Sequence, residues 1–212
     1  MKKRKVIIII SIIVLIVIAL IIAIISINNK KDNVSKLKPI FEKINSSSAY
    51  KFTAEKNDEE KTIMAKKGNQ TLIDQYFNGV HRTTLVTDDT TCYILHDREE
   101  YYIYENSNIE QTILEDAIAD LLQRTYTTGN EKVFGKKYNY EEYNGSSAFL
   151  LTNLRDVNEE NIKTKLYFDK NDNLKYIKTI YGENEEELLN IDIQYEAEDS
   201  MFEIPSNYAE GN

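Results

Sequence analysis

The side chains that could do chemistry in this chain are few. The 212 residues include one cysteine and two histidines. Cys92 and His96 are four residues apart, a spacing that would suit a shared metal ion on a helix. The alternation in Thr-Thr-Cys-Tyr-Ile-Leu-His instead predicts a strand, where about 3.3 Å per residue separates the pair by about 13 Å, too far for one ion. His81 begins another predicted strand. We interpret all three as ordinary sheet residues.

Sequence motifs of catalysis and cofactor binding are missing from the chain. It contains no G-x-S-x-G, no P-loop, no H-E-x-x-H and no C-x-x-C. Asp169–Asn173 resembles the start of a calcium loop, but Leu174 stands where such a loop needs glycine and Ile180 where it needs glutamate. This segment therefore predicts a hairpin turn. We expect a protein that is not an enzyme and has no catalytic residues, metal or cofactor.

The net charge of the chain argues against one class of partner. Lysine and arginine number 26 against 35 aspartates and glutamates, and four of the cations lie in residues 1–5, which contain no acid. The rest of the chain therefore has a net charge of −13. An acidic body repels nucleic-acid backbones, so we expect no nucleic-acid partner.

An apolar segment precedes everything else. Residues 6–27 contain no charge, and 22 helical residues at about 1.5 Å each span about 33 Å, slightly more than a bilayer core of about 30 Å. The run is too long for a cleaved signal peptide, and no cysteine follows it for lipidation. With the basic residues 2–5 before it, the segment predicts a single-pass cell-membrane anchor with a cytoplasmic N-terminus and an extracytoplasmic domain.

The remaining sequence predicts one domain at residues 33–208, after a polar stalk at 28–32 and before a tail at 209–212. Its apolar residues first follow helical spacing, with Val34, Leu37, Phe41 and Ile44 on one face. The period then changes to two, with turn residues between the runs. The predicted strands of this first part are Ala49–Lys56, Lys61–Lys67, Gln70–Phe77, Val80–Thr87, Thr91–His96 and Glu99–Glu105.

An amphipathic helix is predicted at Ile109–Arg124, and strands resume after it. They are Lys132–Tyr143, Ala148–Leu154, Ile162–Phe168, Leu174–Tyr181 and Leu188–Tyr195. The fold class is therefore mainly β with helices (α+β). After the N-terminal transmembrane helix, we expect a strongly curved antiparallel half-barrel of about eleven strands, with helices on its concave side.

Three stretches carry a resemblance to a known superfamily. Leu37–Thr53, Leu166–Ile180 and Phe202–Tyr208, with the order of elements around them, resemble the LolA-like lipoprotein carriers, and also the GerS-type germination lipoproteins of spore formers. The resemblance implies an open half-barrel that holds acyl chains or, in relatives such as the GerS type, contacts a partner such as a cell-wall amidase. The chain departs from both groups because a transmembrane segment replaces the lipid-modified cysteine.

Two functions remain open. The first is a membrane-tethered binding protein that holds a lipid or lipid-modified ligand in an apolar groove, and the second is a non-enzymatic adaptor for an envelope or cell-wall enzyme. For the first, we predict a groove between the 109–124 helix and the sheet. Its predicted ligand-binding residues are Ile113, Ile118 and Leu122 on the helix, with Tyr102 and Tyr104 on the preceding strand. An empty apolar cavity would favour the lipid, and a solid core the adaptor.

Overall fold

The structure is a computed structural model, and it describes residues 34–105, 113–145, 162–181 and 185–211. Contacts separate Lys36–Asn212 as a unit from Met1–Ser35, and the description below concerns Lys36–Asn212. Within the described ranges, no helix has both the length and the apolar character needed to cross a membrane. The predicted anchor at 6–27 lies outside these ranges.

Two α-helices, a 3₁₀ helix and twelve strands make up the described structure. In chain order they are α1 (Leu37–Ser46), β1 (Ala49–Asn57), β2 (Glu60–Lys67), β3 (Gln70–Phe77), β4 (Val80–Val86), β5 (Thr90–Leu95), β6 (Glu100–Glu105), α2 (Ile113–Gln123), β7 (Tyr126–Val133), β8 (Lys136–Asn144), β9 (Lys163–Phe168), β10 (Leu174–Ile180), β11 (Glu186–Gln194), a 3₁₀ helix (Asp199–Phe202) and β12 (Ala209–Glu210).

All twelve strands form one open, curved sheet. Its order is β12-β6-β5-β4-β3-β2-β1-β11-β10-β9-β8-β7. Every neighbouring pair is antiparallel except β12 with β6, which is parallel. The predicted class, mainly β with helices in a curved antiparallel sheet, is confirmed, with twelve strands described where about eleven were predicted.

The meander β1–β6 follows from alternating side chains and tight turns. Asn78 and Gly79 both have positive φ, 50° and 77°, as a two-residue turn of type I′ requires. That turn fixes the register in which Phe77 pairs with Val80. Strand ends differ from the predicted ones by at most one residue throughout this part of the chain.

The predicted single strand Lys132–Tyr143 is wrong. The chain instead reverses at Phe134 and Gly135, whose φ angles are 47° and 79°, and forms the hairpin β7–β8. Phenylalanine rarely adopts positive φ, and Gly129, a residue typical of loops, lies within β7, so neither residue indicates the hairpin. The predicted strand Ala148–Leu154 lies outside the described residues.

Both α-helices pack on the same face of the sheet, which we call the helix face. In α1, Pro39 occupies the first turn, where its missing N–H is tolerated, and Leu37, Ile40 and Ile44 are buried. These residues join one apolar core with α2 and with strands from the centre of the sheet. From the strands, this core contains Tyr50, Phe52, Ala54, Met64, Tyr143, Leu166, Phe168, Leu174, Ile177, Leu189 and Ile191.

A second, smaller core lies on the opposite face, which we call the outer face. It is formed by Ala65, Leu72, Leu85, Cys92 and Ile94, with Phe202 from the 3₁₀ helix packed on them. The register places these strand residues on one face. Leu72 pairs with both Ala65 and Leu85, and Cys92 pairs with Leu85. Ile94 lies two residues beyond Cys92 and therefore points to the same face. The C-terminal segment 197–208 thus covers the outer face of the meander.

Candidate functional site

The predicted groove between α2 and the sheet is filled by the protein's own side chains in the described structure. Leu114, Ala117, Ile118 and Leu121 of α2 are at most 5% exposed and belong to the helix-face core. Leu122 is half-buried and packs against the same core. Ile113 is the first residue of the helix.

The two tyrosines predicted to complete the groove lie elsewhere. Tyr102 and Tyr104 are in β6, which three strands separate from β2, the nearest strand in the helix-face core. Tyr104 is 53% exposed and packs its ring edge-on against Tyr93, with 5.6 Å between centroids. The structure therefore brings Ile118 and Leu122 together on α2 but places the tyrosines apart from them. Ligand binding by these residues stays a prediction.

A buried carboxylate also fastens α2 to the sheet. Glu115 accepts a 2.8 Å hydrogen bond from the Tyr50 hydroxyl and a 3.1 Å bond from the Lys66 ammonium. Burial, and then the charge and hydrogen bond of Glu115, hold the pKa of Tyr50 far above its ordinary value, so the phenol stays a donor. Because a buried carboxylate that lost these donors would be costly, the network opposes opening of the helix.

A cleft of about 340 Å³ lies at the end of the sheet where β1–β2 and β3–β4 turn. Its lining is both charged and apolar, and includes Lys56, Glu60, Lys61, Arg82 and Glu187 as well as Tyr76, Phe77, Val80 and Leu189. With five charged side chains in its walls, the cleft differs from the mainly apolar sites that bind acyl chains.

The two edge regions of the sheet differ in whether an additional segment of the chain pairs with them. At β6, the C-terminal residues add a parallel strand: the Ala209 N–H donates to Glu99 O at 2.9 Å and the Gly211 N–H to Tyr101 O at 2.8 Å. At the other edge, β7 pairs with β8 through eight consecutive residues without a shift in register. No described residue pairs with the far side of β7.

The backbone groups of β7 that face away from β8 can be named from the register. In a hairpin closed by two residues, the pair that flanks the turn is hydrogen-bonded and the pattern alternates from there. Because Val133 pairs with Lys136 at the turn, Gly129 bonds to β8, whereas the N–H and C=O groups of Thr128 and Asn130 point outward. Thr128 and Asn130 are also exposed. This edge has the form of a template for another strand.

The hairpin tip beside this edge is apolar and basic. Phe134 is 80% exposed, and its ring lies 5.9 Å from that of Tyr176. Lys132, Lys136 and Lys137 around it are exposed and form no ion pair with a described residue. In a body of net charge −13, this is a local cationic surface with an aromatic centre.

Ion pairs on the outer face stiffen the strands next to the edge. Glu131 of β7 accepts a 3.1 Å hydrogen bond from Lys165 and a 3.2 Å bond from the Tyr167 hydroxyl, and Lys178 lies 3.6 Å away. Partial burial opposes the charge of Glu131, but these donors outweigh it and lower its pKa. The edge strand is therefore tied across β8 to β9 and β10.

A polar cluster on the outer face contains both histidines of the chain. Their rings stack at 3.5 Å between centroids, with Tyr76 stacked on the far side of His81 at 3.8 Å. His81 Nε2 lies 2.7 Å from a carboxylate oxygen of Asp74. Burial, followed by the neighbouring His81, lowers the pKa of His96. His96 is therefore held in its neutral form near pH 7.

Hydrogen bonds fix the ring of His96 at both nitrogens. The Thr83 hydroxyl lies 2.8 Å from Nε2 and also bonds to Asp74, and the Tyr208 hydroxyl lies 2.9 Å from Nδ1. Sequence reasoning missed this cluster because it paired His96 with Cys92. The signal was the turn at Asp88-Asp89, which lies midway between the two histidines and places them opposite each other.

Comparisons with known proteins give structural likeness at low identity. No family model and no curated protein matches the chain. A solved structure of an uncharacterized conserved protein from Thermus thermophilus aligns with a TM-score of 0.47 and 10% identity, over 84% of this chain and 99% of that one. A chain from the Pseudomonas aeruginosa MucA/MucB complex aligns with a TM-score of 0.42 and 9% identity, over 84% of this chain and 62% of that one.

A third structure, MucB in complex with MucA(peri), aligns with a TM-score of 0.33 and 10% identity over 82% of this chain. The chain spans 60% of that protein. Since every TM-score lies below 0.5, the alignments assign neither a family nor a function.

Proposed function

We propose that the protein is a non-enzymatic adaptor of the cell envelope, held at the membrane by residues 6–27, which binds an extended segment of a partner protein along β7. The observation that carries the proposal is the contrast between the two sheet edges. The chain covers β6 with its own residues 209–211, whereas no described strand pairs with the outward backbone groups of Thr128 and Asn130 in β7. Strand addition to such an edge is a common way to bind peptides.

The partner segment is expected to be acidic and to carry an apolar side chain. Lys132, Lys136 and Lys137 would attract carboxylates, and Phe134 with Tyr176 offers an aromatic surface for one anchoring residue. The filled interface beneath α2 supports this adaptor over the lipid-holding alternative, because an acyl chain there would have to displace Ile118 and its neighbours from the core.

The predicted anchor restricts where the partner can be. Lys36 pairs with Asp172, in the turn between β9 and β10, and the hairpin tip Phe134 lies at this same end of the sheet. Eight residues, 28–35, lie between Ile27 and Lys36. An anchor at 6–27 would hold the protein at the membrane, so its partner would be a membrane or membrane-proximal protein.

A backbone-specific substitution tests the proposal. Asn130→Pro removes an outward N–H of β7 without removing a bond to β8, and Asn130→Ala is the matched control that keeps the N–H. Full-length protein is purified from its native membranes after brief cross-linking, and bound proteins are quantified by mass spectrometry. We expect one protein that is retained by Asn130→Ala and lost by Asn130→Pro.

Two results would contradict the adaptor. If Asn130→Pro and Asn130→Ala retain the same protein equally, β7 is not the binding edge. If Asn130→Pro lowers the melting temperature of the protein, Thr128→Pro repeats the test at the other outward position. If lipid extraction of the purified protein instead yields one lipid per chain and no protein partner, the lipid-holding function is correct.

A further inference from the structure

We propose that Asp74, His81 and His96 bind a divalent transition-metal ion, with zinc as the preferred ion. The donors would be Nε2 of each histidine and one carboxylate oxygen of Asp74. These three side chains offer ligand atoms that all lie within 4.8 Å of one another. The site is on the outer face of β3–β5 and is independent of the proposed binding edge.

The backbone brings the donors together from β3, from β4 and from the residue that follows β5. His81 is the second residue of β4 and lies opposite His96, whose N–H donates to His81 O at 3.2 Å. Directly opposite residues of antiparallel strands have Cβ atoms about 4.5–5.5 Å apart, which suits two ligands of one ion. Asp74 pairs with Thr83, two residues beyond His81 on the same face. The rigid sheet, rather than a loop, therefore sets the donor spacing.

An ion can bind only once the imidazole rings turn out of their stack, because two parallel rings 3.5 Å apart between centroids cannot both direct a lone pair at one ion. Zinc bonds nitrogen and oxygen at about 2.0–2.2 Å, so two tetrahedral ligands lie about 3.4 Å apart. His81 Nε2 and the Asp74 oxygen are now 2.7 Å apart, in a hydrogen bond that the ion would replace. A separation increase of less than about 1 Å is within the reach of side-chain rotation. Solvent would supply a fourth ligand.

A neighbouring hydroxyl bonds one of the proposed ligands as in many metal sites. A ligating histidine usually bonds its second ring nitrogen to an oxygen, which fixes the ring and leaves the other lone pair for the metal. The Tyr208 hydroxyl takes this position at His96 Nδ1, at 2.9 Å. The donor set of imidazole and carboxylate suits zinc and its neighbours, and the hard ions calcium and magnesium prefer all-oxygen sites.

Metal binding would also secure the C-terminal segment. Tyr208 bonds to His96 and belongs to the group of residues that covers the outer-face core. An ion on His96 would therefore link β3, β4 and β5 and, through Tyr208, the segment 197–208. Since only the folded chain assembles the three donors, a bound ion would raise the melting temperature.

The test uses full-length protein without a histidine tag, in mild detergent and after removal of metals by EDTA and dialysis. Zinc is titrated calorimetrically, and cobalt is added in parallel because its visible absorption reports nitrogen and oxygen ligands. We expect one zinc ion per chain, displacement of the cobalt absorption by zinc, and no comparable binding of magnesium. His81→Asn and His96→Asn should each weaken zinc binding at least about tenfold.

Asp89→Asn is the matched control, since Asp89 is an exposed carboxylate in the turn between β4 and β5 and outside the donor set. It should leave zinc binding unchanged, whereas Tyr208→Phe should weaken binding without abolishing it. The proposal is overturned if the unaltered protein binds no zinc. It is also overturned if both histidine variants bind zinc as tightly as the unaltered protein, because exposed acids would then be the ligands.

Discussion

Enlarging one buried alanine should distinguish a filled core from an open groove. Ala117 in α2 is 5% exposed and lies within the helix-face core. Ala117→Leu adds three carbon atoms where neighbouring side chains already fill the space, and overpacking of this kind costs about 1–3 kcal/mol. Ala119→Leu makes the same change two residues away, at a half-buried position outside that core. It should change stability by less than about 0.5 kcal/mol.

Urea unfolding of the full-length protein in detergent measures this difference. The chain has 15 tyrosines and no tryptophan, so tyrosine fluorescence reports the transition. With a slope of about 2 kcal/mol per molar urea, Ala117→Leu should lower the midpoint by about 0.5–1.5 M relative to Ala119→Leu. Equal midpoints would refute the reasoning, because they would show unfilled space beside α2, as the lipid-holding alternative requires.

Three further predictions concern single features of the chain. Phe134→Asn should raise the melting temperature, since asparagine tolerates the positive φ of 47° that costs phenylalanine about 1–2 kcal/mol, and calorimetry measures the change. Cys92 is 4% exposed, and burial, then the charge of Glu210, raises its pKa, so iodoacetamide at pH 8 should label it only after unfolding, as mass spectrometry can show. Residues 6–27 should remain attached, and a mature N-terminus near residue 28 by end sequencing would contradict the anchor.

The meander could be predicted from sequence because its information is local. Alternating side chains give each strand, and Asn78-Gly79 gives a turn whose geometry requires those residue types. The hairpin β7–β8 could not be predicted in this way, because phenylalanine is unusual at the positive φ that Phe134 adopts in its turn. Gly129 stands within the strand for a reason visible only in three dimensions: a side chain there would lie 2.5 Å from the ring of Tyr140.

The side-chain packing between α2 and the sheet could not be predicted from the sequence, for a different reason. The apolar stripe of α2 was plain in the sequence, but whether it leaves a cavity depends on the side chains opposite it. Those come from distant strands, such as Phe52 of β1, Leu166 of β9 and Ile177 of β10. The stripe alone therefore left both functions open, and the packing supports the adaptor.

The histidine cluster was within reach of the sequence. A turn centred on Asp88-Asp89 places His81 opposite His96. The turn at Asn78-Gly79 pairs Asp74 with Thr83, which lies two residues beyond His81 on the same face of β4. Applying the hairpin registers to both strand pairs together would have found the three donors. Considering each histidine alone did not.

Site-specific photo-cross-linking in intact native cells tests the central claim most directly. A photoreactive amino acid replaces Thr128, whose backbone groups point outward from β7, and in a control chain it replaces the exposed Glu203 within the C-terminal segment. We predict one discrete protein adduct from position 128 that is absent from position 203 and lost when Asn130→Pro is added. Equal adducts from both positions, or none from position 128, would contradict a partner bound along this edge.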